Sequence, residues 1–187
     1  GVDKVAFTGS TEVGKRIAKA VAGTGKKLPL ALGGKRPHII FDDASIDQAV
    51  EGIVSGIYFN QGHVCCAGSR LFVQEGVADE VVAKLIGKYF GIARDEGLDG
   101  FESSRELPSS GYWCRPSFFT GVQASHTVAR EEIFGPVLAI QTFRTPEEAI
   151  TRANNSPYGL AAGVWTDKGS KIFEIAGQRK AGIVWLN

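Results

Sequence analysis

The chain has 187 residues, enough for one domain with a substantial core, and 43% of them are hydrophobic. Its formal charge of +1, its scattered basic residues and the absence of a long apolar run argue against a nucleic-acid or membrane partner. Three cysteines, two of them adjacent, do not form a disulfide framework and favour a reducing, cytoplasmic compartment. Because methionine is absent and the chain opens directly on a strand-like segment, we expect a piece of a longer protein.

Apolar strands alternate with amphipathic helices from the start of the chain. The short strand "KVAF" precedes a helix whose apolar stripe begins at Val13 and which ends at Gly23. The buried strand "HIIF" at 38–41 precedes a second helix, with Ser45 as the expected N-cap and Gln48 in the capping-box position.

The same alternation continues to the end of the chain. The later elements are the strand "RLFVQ", a helix at 77–89, the strand "VLAIQTF", a helix at 146–153, the strand "AAGVW", a helix at 169–177 and the strand "GIVWL". This order predicts an α/β fold in which helices cover both faces of a mostly parallel sheet.

One region interrupts the alternation. The segment "RDEGLDGFESSRELPSSGYWCRPSFF" is polar, rich in Gly, Ser and Pro, and has neither a helical nor a strand period. A structureless stretch of this length is unusual inside a compact domain. We therefore expect an irregular or truncated segment near 94–111, either a mobile loop or a junction where residues are missing.

The motif "FNQGHVCCAGSR" carries the residues with the strongest chemistry. A thiol is the best ordinary nucleophile near neutral pH, and Gly62 and Gly68 would let the backbone turn sharply around it. The alternative is that Cys65 and Cys66 are small buried hydrophobic residues. His63 points away from Cys65 in either regular structure, and adjacent cysteines lack metal-ligand spacing, so no metal site is predicted.

The segment "TGSTEVG" at 8–14 follows a strand and opens a helix. A helix N-terminus presents free N–H groups and suits a phosphate-bearing ligand. Because a Gly-Ser-Thr turn into a helix is common, the spacing alone identifies no particular ligand.

Six motifs in order, "FTGSTEVGK", "LALGGK", "FNQGHVCCAGSR", "EEIFGPV", "YGLAAGVWT" and "GIVWLN", resemble those of the NAD(P)-dependent aldehyde dehydrogenase superfamily. The resemblance covers nearly the whole chain, and the wording of the cysteine motif is similar to the two-repeat branch, family sixteen. It implies that residues 1–30 are the end of a Rossmann-like dinucleotide-binding domain. It also implies that residues 31–187 form the thiol-bearing catalytic domain.

The resemblance assigns roles to particular residues. Cys65 is expected to attack an aldehyde carbon, giving a thiohemiacetal and then a thioester that water hydrolyses, with its own backbone N–H stabilising the alkoxide. NAD or NADP is the implied cofactor. The residues implied to contact it are Thr8, Gly9, Ser10, Val13, Leu32, Gly33, Glu132 and Phe134. The implied substrate is a small aldehyde, and the whole protein is expected to be a homo-oligomer.

One departure from the family pattern bears directly on activity. Ala31 stands where the family has the glutamate that activates the water for deacylation. General-base help is worth roughly 10²–10⁴-fold in rate. Three hypotheses therefore stay open: an aldehyde dehydrogenase with impaired turnover, a catalytically inactive relative acting as an interaction or scaffold module, and a thiol esterase that needs no cofactor.

Overall fold

The computed structural model describes residues 1–89, 91–92 and 98–187. In chain order its elements are β1 (Phe7–Thr8), α1 (Thr11–Val21), β2 (Leu30–Ala31), β3 (Pro37–Ile40), α2 (Ile46–Tyr58), β4 (Arg70–Gln74), α3 (Ala78–Tyr89), β5 (Gly91–Ile92), β6 (Asp99–Glu102), β7 (Ser117–Thr120), α4 (Thr127–Arg130), β8 (Val137–Phe143), α5 (Pro146–Asn154), β9 (Ala161–Trp165), α6 (Gly169–Gly177) and β10 (Ile183–Leu186). Short 3-10 turns occupy Phe59–Gly62 and Glu75–Val77. Within this part of the chain, no helix is both long and apolar enough to cross a bilayer.

Eight of the strands form one sheet in the order β10-β9-β3-β4-β8-β7-β6-β5. Every neighbouring pair from β10 through β7 is parallel, whereas the β7–β6 and β6–β5 pairs are antiparallel. β1 and β2 form a separate two-stranded parallel sheet, in which Thr8 lies opposite Ala31. The predicted mostly parallel α/β sheet is confirmed.

Helices cover both faces of the large sheet. On one face α2 and α3 pack against alternate residues of the central strands, including Ile40, Leu71 and Leu138. On the other face α5 and α6 pack against the intervening residues, including Phe41 and Phe72. The central strands are therefore buried on both sides, which explains why they are continuously apolar in the sequence.

The helix and strand predictions agree with the structure in position, with local exceptions. The strand "KVAF" is reduced to Phe7–Thr8, with Lys4 and Lys27 joined by an isolated parallel bridge. Ser45 is the N-cap of α2, but its side chain makes no capping hydrogen bond, so the expected capping box is not formed.

The expectation of an irregular segment near 94–111 is wrong for part of its length. Residues 93–97 lie outside the described part of the chain, but 99–102 form β6, which pairs with β7. The rings of Phe101 and Phe118 stack with centroids 4.7 Å apart, and this cross-strand contact supplies what the local sequence pattern lacks. From 103 to 116 the chain contains no helix or strand, as predicted.

Candidate functional site

The cysteine motif forms a tight loop after α2. Asn60, Gln61 and Gly62 all have positive φ, at 50°, 56° and 70°, so the chain reverses direction immediately after the helix. Asn and Gly tolerate this left-handed conformation, whereas Gln61 is held there by its side-chain carbonyl, which accepts a hydrogen bond from the Cys114 N–H at 3.2 Å. The N–H of Ala67 then donates to a carbonyl three residues back at 2.9 Å.

The two glycines of the motif lie against neighbouring parts of the fold. A Cβ atom on Gly62 would collide with the backbone carbonyl of Gly135, and one on Gly68 would collide with the ring of His38. Both positions therefore need glycine for close packing, and Gly62 needs it for its backbone conformation as well. The predicted sharp turn around the thiols is confirmed.

The adjacent thiols occupy different environments. Cys65 and Cys66 are the central residues of the turn that the Ala67 N–H closes. Cys65 is exposed and Cys66 is partly buried, so the interpretation of Cys65 as a buried hydrophobic residue is wrong. No hydrogen bond joins His63 to Cys65 in the described residues; the imidazole instead stacks on the ring of Phe134, with centroids 5.8 Å apart.

The first cofactor-related motif forms the entrance to α1. Ser10 is the N-cap of the helix and accepts a hydrogen bond from the Val13 N–H at 3.3 Å. The N–H of Gly9 donates to the Ala31 carbonyl at 3.0 Å, which extends the pairing of β1 with β2. The helix N-terminus and Ala31 are thereby held on neighbouring segments.

Three segments that are far apart in sequence meet at Gly33. A Cβ atom there would collide with the carboxylate of Glu132 and would lie 3.3 Å from Oγ1 of Thr11, at the start of α1. Leu32 packs against Gly14 of the same helix. The structure thus brings the α1 entrance, the "LGGK" loop and the "EEIFGP" loop together.

Glu132 is fixed by two donors on the loop before β3. Its Oε1 accepts from the backbone N–H of Gly34 and from Nη1 of Arg36, each at 2.9 Å. The Arg36 side chain is 2% exposed and that of Glu132 is 21% exposed. Glu132 is therefore an oriented carboxylate with one face open, not a mobile loop charge.

A small cleft, here called the Glu132 cleft, lies where these loops meet the cysteine motif. Its lining includes Gly34, Arg36, Gly62, Val64, Glu132 and Phe134. Phe134 has a positive φ of 57°, unusual for a non-glycine residue, and its side chain is 48% exposed. The backbone of Phe134 is strained, and its exposed ring stacks on His63 at the edge of the cleft. The ring is therefore available for contact with a ligand.

A second, larger space lies on the other side of the cysteine turn. This tryptophan cavity has a volume of about 400 Å³, within the range of small-molecule sites. It is lined by His38, Gly52, Ser55, Gly56, Phe59, Val64, Cys66, Trp165, Trp185 and Asn187. Val64 lines both spaces, so the two adjoin at the start of the cysteine turn.

Small residues of α2 create the room in the tryptophan cavity. Gly52 packs directly against the indole of Trp165, and a Cβ on Gly56 would meet nothing within 4 Å. Because residues four apart share one helix face, the two glycines open the same side of α2. Polar groups in this otherwise apolar space include Nε1 of Trp165 and Nδ1 of His38, both without a hydrogen-bond partner in the described structure.

His38 is the buried titratable group of the tryptophan cavity. Its ring lies between Gly68 and Gly163 and is 7% exposed. Burial lowers its pKa to about 4, so the imidazole is neutral at physiological pH. It can offer one donor and one acceptor to a bound molecule but no charge.

Several residues of the two spaces were not found from the sequence. Trp165 and Trp185 lie in segments that the sequence predicts only as strands, and the motifs single out neither Arg36 nor His38. Arg36 could have been noticed as a charged residue directly before an apolar strand, since a buried charge needs a partner. Nothing in the local pattern distinguishes the two tryptophans from ordinary core aromatics.

A family model described as "Aldehyde dehydrogenase family" matches residues 1–100 and 86–187 of the chain. The chain therefore belongs to the aldehyde dehydrogenase family, as its motifs indicate. The two matched segments meet at 86–100, at the edge of the segment that lacks a helix or strand period.

Two curated relatives give the extent of the similarity. Human mitochondrial aldehyde dehydrogenase is 40% identical over 218 aligned positions, covering 100% of this chain and 42% of the relative. Aldehyde dehydrogenase family 2 member C4 of Arabidopsis thaliana is 38% identical over 217 positions, covering 100% and 43%. The chain thus spans less than half the length of these relatives, and the relatives have residues at aligned positions that this chain lacks.

Solved structures show the same fold. An NAD-dependent aldehyde dehydrogenase from Sinorhizobium meliloti superposes with a TM-score of 0.90 at 36% identity, over 99% of this chain and 43% of that one. The NAD⁺ complex of an aldehyde dehydrogenase from Bacillus cereus superposes with a TM-score of 0.87 at 36% identity, over 99% and 44%.

Proposed function

We propose that the protein to which this chain belongs oxidises a small aldehyde to a carboxylic acid with NAD or NADP, using Cys65 as the nucleophile. The observation that carries this proposal is the exposure of Cys65 on a tight turn whose neighbouring residues line the two spaces: Val64 lines both, and Cys66 lines the tryptophan cavity. We infer that a cofactor approaches the thiol from one space and a substrate from the other.

The residues of the Glu132 side fit a dinucleotide. Thr8, Gly9, Ser10 and Val13 lie at the N-terminus of α1, where backbone N–H groups of the first helical turn can donate to a phosphate. Leu32 and Gly33 bring the next loop against that helix, and Gly33 leaves space beside the carboxylate of Glu132. The open face of Glu132 suits ribose hydroxyls, and the exposed ring of Phe134 suits a flat heterocycle. NAD(P), when bound, accepts the hydride that leaves the substrate carbon.

The tryptophan cavity is the proposed aldehyde site. Its aromatic walls favour an apolar substituent, and Cys66, the chain neighbour of Cys65, is part of its lining. Attack by Cys65 puts negative charge on the former carbonyl oxygen, which the Cys65 backbone N–H is positioned to stabilise. Loss of hydride from this thiohemiacetal leaves a thioester on Cys65, and water then releases the acid.

Ala31 limits the last step. Its methyl group cannot accept a proton, so water attack on the thioester lacks the general base that the family supplies at this position. We infer that acylation of Cys65 proceeds and that deacylation is slow. The same residue supports the second candidate function, a catalytically inactive interaction or scaffold module.

The domain division belongs to the same proposal. Residues 1–30 would be the end of the dinucleotide-binding domain and 31–187 the catalytic domain. The separation of the β1–β2 sheet from the large sheet supports a boundary near this point, although the pairing of Thr8 with Ala31 keeps Ala31 in the small sheet. A cytoplasmic location is proposed from the cysteine usage. A homo-oligomeric whole protein and membership of the two-repeat branch are parts of the proposal that rest on resemblance alone.

Mass spectrometry of the intact protein tests the proposed mechanism. After incubation with p-nitrophenyl acetate, one acetyl group should accumulate on Cys65, and with an aldehyde the acyl group should accumulate only when NAD⁺ or NADP⁺ is present. Cys65→Ser should abolish both adducts and Cys66→Ser, the matched control, should keep them. Acylation that tracks Cys66 would overturn the assignment, absence of any NAD(P) binding would favour the inactive module, and steady ester hydrolysis without NAD(P) would favour a thiol esterase.

A further inference from the structure

A second group of buried charges lies away from the thiols, between the start of the central strands and the ends of α5 and α6. Lys35 is 1% exposed, Arg70 is 2% exposed and Arg179 is 8% exposed, and all three line one small cavity, here called the cation cavity. In the described part of the chain, no Asp or Glu lines this cavity. Buried charges normally have a partner of opposite sign, because burying an unpaired charge strongly destabilises the folded state.

Arg70 has its partners. Its Nε donates to the Lys35 carbonyl at 2.9 Å, and its two terminal nitrogens donate to the carbonyls of Arg152 and Ala153 at 3.2 and 2.8 Å. Those two carbonyls belong to the C-terminal turn of α5, the negative end of the helix dipole. The charge of Arg70 is therefore satisfied by backbone groups.

Lys35 and Arg179 are not satisfied in this way. Within the described structure, Nζ of Lys35 and both Nε and Nη1 of Arg179 are buried without a hydrogen-bond partner. Arg179 makes one long hydrogen bond, from Nη2 to the Gln178 carbonyl at 3.5 Å. These three donor atoms belong to two cationic residues that line the cavity. No acidic side chain of the described residues lines it with them.

The electrostatics of the cavity favour an anion. Burial, followed by repulsion from Arg70, lowers the pKa of Lys35 to about 8. Burial, followed by repulsion from Arg179, lowers the pKa of Arg70 to about 10. The carboxylate of Glu132 attracts Lys35 weakly, but its Oε1 is already engaged by Arg36 and Gly34. An anion in the cavity would relieve both repulsions.

The size of the cavity restricts its occupant. The cavity is small, with a volume of about 10 Å³, which favours a monatomic ion or a single carboxylate oxygen over phosphate or sulfate. We propose that the cation cavity is an anion site, which Lys35 and Arg179 both line and in which their unpartnered donor atoms bind a small anionic group. That group is either a free halide ion such as chloride or one carboxylate oxygen of polypeptide outside this chain.

The site would also fix the loop that leads into β10. Asn154, at the end of α5, donates to the Gln178 carbonyl at 2.8 Å and accepts from the Lys180 N–H at 3.0 Å. Arg179 lies between these two contacts. An anion shared by Arg179 and Lys35 would connect this loop to the segment that carries Arg36.

Bromide is the probe for the free-ion form, because it replaces chloride and scatters anomalously. Crystals of the purified protein grown with sodium bromide should show an anomalous peak in contact with Lys35 Nζ and Arg179. In solution, the melting temperature should rise from potassium gluconate to potassium bromide at equal ionic strength. Arg179→Leu should abolish that rise, and Lys15→Gln, which changes an exposed lysine of α1, should keep it.

The variants distinguish the two sources of the anionic group. With a free halide, Arg179→Leu in gluconate should melt no lower than the parent protein, because it removes a repelled buried charge. With a polypeptide carboxylate, bromide should give no peak, the carboxylate should be visible in the cavity, and Arg179→Leu should melt lower in every salt. A cavity that holds only water, with equal responses of Arg179→Leu and Lys15→Gln to bromide, would overturn the proposal.

Discussion

Arg36 and Glu132, separated by 96 positions in the sequence, form an ion pair in which the Arg36 Nη1 lies 2.9 Å from the Glu132 Oε1. The arginine is almost fully buried, whereas the carboxylate keeps one face toward the Glu132 cleft. The buried guanidinium of Arg36 therefore holds the carboxylate of Glu132 at the edge of the proposed cofactor site. The orientation of Glu132 therefore depends on Arg36, which lies directly before β3.

Replacing Arg36 by Met should weaken cofactor binding. Glu132 would keep only the Gly34 N–H, so its open face would no longer be fixed, and we expect NAD(P) affinity to fall about tenfold and stability by about 1–2 kcal/mol. Calorimetric titration and urea unfolding measure the two effects. Arg144→Met is the control, because its pair with Glu75 is exposed and should contribute about 0–1 kcal/mol. Tighter cofactor binding by the Arg36 variant would show that the ion pair obstructs the site.

Ala31→Glu should accelerate turnover. If deacylation is the slow step, a carboxylate at this position should raise the steady-state rate with aldehyde and NAD(P) by about 10²–10⁴-fold. The rate of the first acylation burst should change much less. Ala31→Gln is the matched control, since it adds similar volume without a base. Equal rates for the Glu and Gln variants would contradict an acid–base role at position 31.

Gly62→Ala should destabilise the protein more than the same substitution at a glycine that has positive φ but open space around it. The φ of 70° costs an alanine about 1 kcal/mol, and the new Cβ would also collide with the Gly135 carbonyl. Gly121 has a similar φ of 66° with open space around it, so Gly121→Ala isolates the backbone contribution. Urea unfolding should show a larger loss for Gly62→Ala, and acylation of Cys65 should fall only in that variant. Equal losses would mean that the loop can move away from Gly135.

His38 should make stability depend on pH below neutrality. Its pKa is about 4 in the folded protein and about 6.5 in an unfolded chain. Between these values the unfolded state binds more protons, so stability falls as the pH is lowered from about 7 to 4, by up to about 3 kcal/mol. Melting temperatures across this range should decline less steeply for His38→Asn, which keeps a polar side chain that does not titrate. Parallel declines for the two proteins would contradict this contribution.

The sheet could be predicted closely because its strands are buried on both faces. "RLFVQ" and "VLAIQTF" are apolar along their length, and the structure places strands at those residues. β6 was missed because it is short and its support comes from contacts across strands, such as Phe101 with Phe118. A short antiparallel strand with one Gly and two charged residues in four carries little local signal.

The candidate site was only partly accessible from the sequence. The motif predicted the turn around Cys65 from Gly62 and Gly68, and Gly62 does have the left-handed backbone that favours glycine. The second space beside that turn depends on Gly52 packing against Trp165 and on the open space beside Gly56, and helical periodicity does not report which distant side chain a glycine accommodates. The Arg36–Glu132 contact likewise depends on the fold bringing distant loops together.

The position of β10 at one end of the sheet affects the tendency of the chain to aggregate. β10 pairs with β9 on one side, and no strand of the described chain pairs with its other side. Ile183, Trp185 and Leu186 on this edge are 55%, 39% and 40% exposed. An apolar edge with unpaired backbone groups is a template for adding strands from other molecules. When produced alone, these 187 residues should aggregate edge to edge.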